Sequence, residues 1–356
     1  MSGIAGILRR DGGLVPEKWG DLLEQSLLLG GSSTFRFEDS IPVEHGNLHI
    51  LLLSGSGPIG TDPSGSMVVD GDFEGECEFA RWNEETLELE LGRKGTGQKS
   101  LYWFDLADAG DGLMFCSNPL PLLKIANGLE LPHGDFSNGV MEYLQHGFVI
   151  EGGELLSPIC SMPLQKNSSP SRSMTSTLNC DFTTTVAEDV QTLVRILGTP
   201  FADPTLLSTL QQYRYSKEIG RDVVDGLVIP KSARFLERFF PSKQDEKQMQ
   251  FQRSTAKRIE LGAIAGYVGV ELSVAPEQER IEPILFPLSS WLRSPQSSFG
   301  QLASDTFHSD SAFCGLPIEK SDVLKIFAAH QDESHDYATD LFALLTLELW
   351  HQLVRA

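Results

Sequence analysis

One candidate nucleophile is Ser2, which follows Met1 in the opening segment Met1-Ser2-Gly3-Ile4-Ala5-Gly6-Ile7-Leu8. A small side chain at the second position favours removal of Met1. The α-amine released in this way can act as the base that activates its own side chain. A serine hydroxyl is essentially never ionised at neutral pH, so it depends on that base more than a thiol does. Whether Ser2 can react therefore depends on the groups that the fold places around it.

The composition excludes several classes of partner. The chain has 356 residues, of which 28 are basic and 49 acidic, and its net charge is −21. This charge opposes binding to nucleic acid and to anionic membrane surfaces. The longest apolar stretches, such as residues 48–53, are strand-sized, and the N terminus has no signal-like segment. We therefore expect a globular cytoplasmic protein without membrane insertion.

The cysteines give no sign of a disulfide framework or a metal site. They form no CxxC pair and show no metal-type spacing to the eight histidines. The five are Cys77, Cys116, Cys160, Cys180 and Cys314. Their odd number favours reduced, unligated thiols.

The patterning divides the chain into three parts. Residues 1–163 contain short apolar runs broken by Gly, Pro and Asp, which predict strands joined by tight turns. The predicted strands are 4–8, 48–53, 67–69, 87–91, 101–104 and 113–116. Ser137 is a candidate cap for a helix that ends near Gly147. This part is expected to be α+β with an antiparallel sheet.

Residues 164–185 form a Ser/Thr-rich tract around Pro170, which predicts a linker because it cannot bury enough apolar surface to fold. Residues 186–356 favour helices. The clearest is the last one, in which leucines recur at helical spacing. They are Leu341, Leu344, Leu345, Leu349 and Leu353.

Segments spread along the chain resemble one known family. In the first half they are residues 2–6, 65–72, 97–102, 115–117 and 143–148. Their order resembles the glutaminase domain of the glutamine-dependent asparagine synthetase family. In the second half, residues 200–205, 286–293 and 344–350 are similar to parts of its ATP-dependent synthetase domain. The resemblance covers the chain in patches from residue 2 to residue 350.

This resemblance implies a fold for each half. Residues 1–163 are expected to form an Ntn-hydrolase-like αββα sandwich of the class II glutamine amidotransferases. Residues 186–356 are expected to be a smaller, mainly helical remnant of an α/β ATP-pyrophosphatase-type domain. The family's Ser-Gly-Gly-x-Asp-Ser loop, which would hold pyrophosphate, is absent from the sequence. The family's acidic turn is replaced by Asp225-Gly226 and apolar residues, so no ATP, Mg²⁺ or other cofactor is expected.

The resemblance also identifies changes in the glutaminase site. Ser2 stands where the family has a nucleophilic Cys, and Asp70 stands where it has an Asn that helps to form the oxyanion hole. A carboxylate accepts hydrogen bonds, whereas the developing oxyanion needs donors, so only Gly71 of this motif keeps a suitable group. The stretch around Asn47 carries no arginine to bind the carboxylate of glutamine. Ser2, Asp70 and Gly71 are therefore predicted to be degenerate site positions.

Together these changes predict a catalytically inactive asparagine synthetase-like protein that serves as a structural, assembly or regulatory subunit of a complex. The alternatives are an N-terminal serine amidohydrolase or amidotransferase using Ser2, and residual glutamine-dependent asparagine synthetase activity. Truncation of the C-terminal domain would expose apolar surface and strand edges. Another protein subunit or a homo-oligomer is expected to cover them. Candidate contact residues are Phe235, Phe239, Phe240 and Trp291.

Overall fold

A computed structural model describes most of the chain. The described residues are 3–30, 33–43, 46–55, 57–62, 65–71, 76–95, 97–106, 111–131, 135–163, 186–218, 223–225, 246–270, 272–274 and 287–356. The predicted linker 164–185 and the candidate contact residues Phe235, Phe239 and Phe240 lie outside them. Within the described part of the chain, no helix is long and apolar enough to cross a membrane.

Two compact units make up the fold, and each is built from discontinuous segments. The first comprises Met1–His133, Leu156–Ser171 and Arg258–Glu271. The second comprises Gly134–Leu155, Arg172–Lys257 and Leu272–Ala356. This division assigns residues 134–155 to the second unit, whereas the sequence pattern groups them with residues 1–163.

The first unit contains a six-stranded antiparallel sheet. Its strands in chain order are β1 (Ile4–Arg9), β2 (Phe35–Val43) and β3 (Gly46–Ser54), followed later in the chain by β8 (Tyr102–Asp105), β9 (Gly112–Cys116) and β10 (Cys160–Ser161). Their spatial order is β10-β8-β9-β1-β3-β2. Strand β1 therefore lies inside the sheet, between β9 and β3.

The same unit has a four-stranded antiparallel sheet. It is formed by β4 (Gly60–Asp62), β5 (Gly65–Gly71), β6 (Cys77–Asn83) and β7 (Glu88–Lys94), which lie in this order. Val68 of β5 and Ala80 of β6 are directly opposed and fully buried. Because side chains alternate along a strand, this register also fixes which neighbouring residues point toward the core.

The two sheets pack face to face across one apolar core. The six-stranded sheet contributes Ile4, Leu8, Leu48, Ile50, Leu52 and Phe115, and the four-stranded sheet contributes Val68, Ala80 and Trp82. Helices α1 (Glu17–Leu27) and α2 (Pro119–Gly128) contact strands of the six-stranded sheet. Helix α2 begins where the side chain of Asn118 accepts the N–H of Leu120 at 2.9 Å, with proline at the first helical position. This unit confirms the predicted α+β class with antiparallel sheets.

The second unit is mainly helical. Its helices are α3 (Phe136–His146), α4 (Val186–Leu197), α5 (Thr205–Glu218), α6 (Glu246–Val268), α7 (Leu288–Arg293), α8 (Ser298–His308), α9 (Lys320–Gln331) and α10 (Ala338–Arg355). Residues 258–268 of α6 belong to the first unit. Two short parallel strands, β11 (Val223–Asp225) and β12 (Leu272–Val274), pair with each other. The predicted last helix is confirmed as α10.

One predicted helix start is wrong. Helix α3 is capped by Asp135, whose carboxylate accepts the N–H of Asn138 at 3.0 Å, and not by Ser137. An N-cap accepts a bond from the second or third residue of the helix, and Asp135 is the residue at that spacing. The predicted end is confirmed, because Gly147 follows the helix with a left-handed φ of 76°.

The three segments that carry the resemblance in the second half converge on helix α10. The carbonyl of Phe201 accepts the hydroxyl of Thr346 at 2.6 Å, and the ring of Phe201 meets that of Phe342 edge to face at 5.6 Å. Helix α7, which carries the half-buried Trp291, also packs against α10. These contacts make the segments core elements of one unit.

Candidate functional site

The start of β1 is held at one end of the sandwich by Ser117. The N–H of Ile4 donates to the hydroxyl of Ser117 at 2.7 Å, and the N–H of Ser117 donates to the carbonyl of Ile4 at 2.9 Å. A β-carbon on Gly3 would lie 2.9 Å from that hydroxyl, so glycine is required for this close approach. Ser2 itself lies outside the described residues, but its neighbour Gly3 fixes where the chain enters the sheet.

At the same end, the four-stranded sheet carries a row of charged residues. Asp70 of β5 is paired in register with Glu78 of β6, and Glu78 is paired with Arg93 of β7. Asp70 lies two residues from Val68 along β5, and Glu78 lies two residues from Ala80 along β6. They are therefore on the same face, which meets the other sheet. Each is at most 3% exposed. Because an isolated buried charge is costly, such a row requires compensation from neighbouring groups.

Asp70 forms an ion pair with Lys99. The ammonium of Lys99 lies 2.5 Å from the carboxylate of Asp70, and the two side chains are 22% and 4% exposed. Burial alone would lower the pKa of Lys99, but the carboxyl groups of Asp70 and Glu78 outweigh it and raise that pKa. Lys99 therefore carries its positive charge at neutral pH and compensates Asp70.

The loop that carries Lys99 is fixed by a second carboxylate. One oxygen of Glu76 accepts the backbone N–H groups of Gly97, Gln98 and Lys99 at 3.0, 2.6 and 3.2 Å. Three donors on one carboxylate oxygen hold the backbone in a single arrangement. The position of the Lys99 ammonium is thus set by the loop as well as by Asp70.

The surroundings of Glu78 favour its neutral form. Its carboxyl contacts the hydroxyl of Ser117, and its other oxygen has no hydrogen-bond partner among the described residues. Burial, with the nearby charge of Asp70, raises the pKa of Glu78 well above the usual value of a glutamate. The bonding supports this, because the single Ser117 proton is also directed at the carbonyl of Ile4 at 3.0 Å. A protonated Glu78 can donate to Ser117, which leaves the Ser117 proton for Ile4.

The free energy of unfolding of the Glu78→Gln variant, compared with that of the wild type, is expected to increase as the pH rises. Between the unfolded and the raised folded pKa of Glu78, the folded state binds a proton that the unfolded state lacks. The free energy of unfolding of the wild type then falls with pH, by up to about 1.4 kcal/mol per pH unit. Glu78→Gln removes this dependence. Urea unfolding of both proteins from pH 5 to pH 8 measures the difference, and a difference that stays constant would contradict a neutral Glu78.

Gly71 ends strand β5 in a conformation that only glycine adopts easily. Its φ is 104°, and a β-carbon at this position would lie 2.1 Å from the carbonyl oxygen of Glu76. The two predicted oxyanion positions thus have different surroundings. Gly71 is needed for the backbone conformation at the end of β5, while the carboxylate of Asp70 forms an ion pair with Lys99.

Asn47 is not brought to this site. It pairs with Pro42 near the start of β3, whereas the other end of β3, Ser54, pairs with Ile4. Asn47 and Ser54 are seven positions apart along the strand, which corresponds to roughly 23 Å. The prediction that this stretch lacks an arginine for the carboxylate of glutamine stays a prediction about its role. Strand β3 contains no lysine or arginine at any position.

The nearby thiol is not a substitute nucleophile. Cys116 is fully buried, and its sulfur lies 3.5 Å from the hydroxyl of Ser26 in α1. Burial raises the pKa of Cys116 to about 11, so its thiolate is scarce at neutral pH. Cys116 packs on the helix side of the sheet as a structural residue.

Sequence reasoning missed two members of the charged row, Glu78 and Arg93. The available signal was the alternation in β6, where Glu78, Ala80 and Trp82 share one face and two of the three are apolar. The described residues contain no group of three His, Cys, Asp or Glu side chains arranged to hold a metal ion. The site is thus a buried network of two carboxyls, two cations and a serine. No protein-family model matches this chain, and no curated protein matches it in sequence.

Proposed function

We propose that this chain is a catalytically inactive asparagine synthetase-like protein, a pseudoenzyme that acts as a structural, assembly or regulatory subunit of a cytoplasmic complex. In this proposal the first unit keeps the Ntn-hydrolase-like sandwich as a scaffold. The second unit is a remnant of the synthetase domain. The ATP and Mg²⁺ site of the family is not retained.

The observation that carries this proposal is the ion pair between Asp70 and Lys99. In an active glutaminase of this family, the position of Asp70 would supply a hydrogen-bond donor to the oxyanion. Here it supplies a buried carboxylate whose charge is compensated by the partly buried ammonium of Lys99, 2.5 Å away. Loss of one oxyanion donor typically lowers the rate on the order of 10²- to 10³-fold. The change from Cys to Ser at position two adds a second loss.

The pairing of β11 with β12 supports the proposed origin of the second unit. These strands are parallel, in contrast to every strand pair described in the first unit. Parallel pairs are typical of α/β domains, in which helices cover both faces of the sheet. A two-stranded parallel pair is consistent with an α/β domain reduced to a fragment.

The test is ammonia release from glutamine and from a panel of simple amides. Wild type and Ser2→Ala are expected to give the same background rate, because Ser2 is proposed to have no catalytic role. Ser2→Cys restores the nucleophile without restoring the oxyanion donor, so its rate is expected to stay at least about 10²- to 10³-fold below that of an active glutaminase. A rate that depends on Ser2 would instead establish the alternative, an N-terminal serine amidohydrolase.

A further inference from the structure

Strand β2 forms one edge of the six-stranded sheet. Among the described residues it pairs with β3 alone, over all nine residues Phe35–Val43. The side chains of Arg36 and Glu38 at this edge are 41% and 53% exposed. A long edge strand presents backbone N–H and C=O groups that another strand can pair with.

Apolar side chains are exposed beside the same strand. The described residues include four exposed large hydrophobic side chains, and three of them lie within eight residues of sequence. These three are Leu28, Leu29 and Phe35. Single exposed apolar residues are ordinary on a protein surface, so only Phe35, which lies on β2 itself, bears on the pairing of this strand. Leu28 and Leu29 follow α1 in the chain, and Phe35 is the first residue of β2.

The two faces of β2 differ, which restricts how a second copy can pair with it. Arg36 faces the helix layer, where it lies 3.8 Å from Glu24 of α1. Phe37 and Ile41 face the core between the sheets. In an antiparallel pair, directly opposed residues share a face, and a slip by one residue reverses every side chain. In a dimer that pairs the two β2 strands, the core-facing sides of both sheets therefore match only in certain registers. These are the registers in which one β2 residue lies opposite its own copy, so that the twofold axis passes between the two.

Charge selects one such register. When the axis passes through Phe37, Arg36 of each copy lies opposite Glu38 of the other. When it passes through Arg36, Glu38 or Asp39, that residue meets its own copy and like charges are opposed. Opposite charges in directly opposed positions stabilise a strand pair, and like charges destabilise it. Arg36 and Glu38 already contact at 3.0 Å within one chain, so the dimer would close a cluster of four alternating charges.

We infer that two copies of this chain associate through β2 in the register centred on Phe37, so that the six-stranded sheets of both copies become continuous. Pro42, which has no N–H to donate, lies beyond the paired segment around Phe37. In this register the exposed Phe35 of each copy lies opposite Asp39 of the other, at the end of the paired segment 35–39. The biological role of this dimer rests on the proposed assembly function, whereas its geometry rests on the register and charges of β2 alone.

The experiment is a charge exchange across the predicted contact, with native mass measured by light scattering or sedimentation at about 0.15 M salt, where the Debye length is near 8 Å. The wild type is expected at twice the chain mass of 39.2 kDa. Arg36→Glu and Glu38→Arg are each expected to weaken the dimer by about tenfold or more, because each opposes like charges twice. The double variant R36E/E38R restores opposite charges and is expected to recover the dimer.

Lys325→Glu is the matched control, since Lys325 is 74% exposed on α9 of the second unit and its reversal should leave the mass unchanged. Circular dichroism establishes that each variant is folded. A monomeric wild type at tens of micromolar, or single variants that dimerise as well as the wild type, would overturn the inference. So would a double variant weaker than either single one. Mass is independent of amide hydrolysis, so failure here is distinguishable from failure of the proposed function.

Discussion

Replacing Lys99 by methionine is expected to lower the free energy of unfolding of the first unit by about 3 kcal/mol or more. The variant keeps an apolar stem of similar length but leaves the carboxylate of Asp70, which is 4% exposed, without its ammonium partner. Removing one member of a buried ion pair is costly because the remaining charge stays desolvated. Urea unfolding combined with peptide-resolved hydrogen exchange in β5, β6 and β7 measures the loss.

Two further variants sharpen this result. Lys325→Met removes an exposed pair with Asp322, whose side chains are 74% and 67% exposed, and is expected to cost less than about 1 kcal/mol. Adding Asp70→Asn to Lys99→Met is expected to recover part of the loss, because the uncompensated charge is then removed. Equal costs for Lys99→Met and Lys325→Met would show that the pair with Asp70 is not buried.

Replacing Trp350 by alanine is expected to cost about 3–5 kcal/mol in the second unit. Trp350 is 1% exposed, its indole N–H donates to the carbonyl of Gly198 at 2.9 Å, and its ring stacks on Phe136 at 6.4 Å. The substitution removes both the ring and the hydrogen bond and leaves a cavity beside α3. Peptide-resolved hydrogen exchange in α3, α4 and α10 follows the loss of stability.

The matched variant is Trp350→Phe, which keeps most of the buried ring but leaves the carbonyl of Gly198 without the indole donor. Its expected cost is about 1–3 kcal/mol. A cost for Trp350→Ala no larger than that for Trp350→Phe would contradict the role assigned to ring packing.

The sequence predicted the strands whose apolar residues form continuous runs or alternate regularly with polar ones, as in residues 87–91, and these strands are confirmed. Strands β2 and β6 escaped prediction because charged residues interrupt their apolar pattern, at Glu38 and Asp39 in β2 and at Glu78 in β6. In β2 the reason is its exposure at the sheet edge. In β6 the charge points inward and is balanced by groups from other strands, which only the strand register identifies.

The candidate site was predictable only in part. Asp70 and Gly71 could be singled out because they resemble a short motif, but the pairing of Asp70 with Lys99 joins residues 29 positions apart through a loop set by Glu76. The distance of Asn47 from the start of β1 follows only from the strand register, because a strand of nine residues has two distant ends and Ile4 pairs with Ser54. The units are discontinuous for a similar reason, since residues 258–268 of α6 are far from the sheets in sequence but belong to the same unit.

The central claim is that Ser2 is not a working nucleophile, and covalent labelling tests it most directly. Intact mass and peptide mapping are measured for wild type and for Ser2→Ala after incubation with a chloroketone analogue of glutamine. The exposed thiols of Cys160 and Cys314 can react in both proteins, so the comparison between them is decisive. The account predicts identical adducts in the two proteins. An additional adduct on the N-terminal peptide of the wild type, absent from Ser2→Ala, would contradict it.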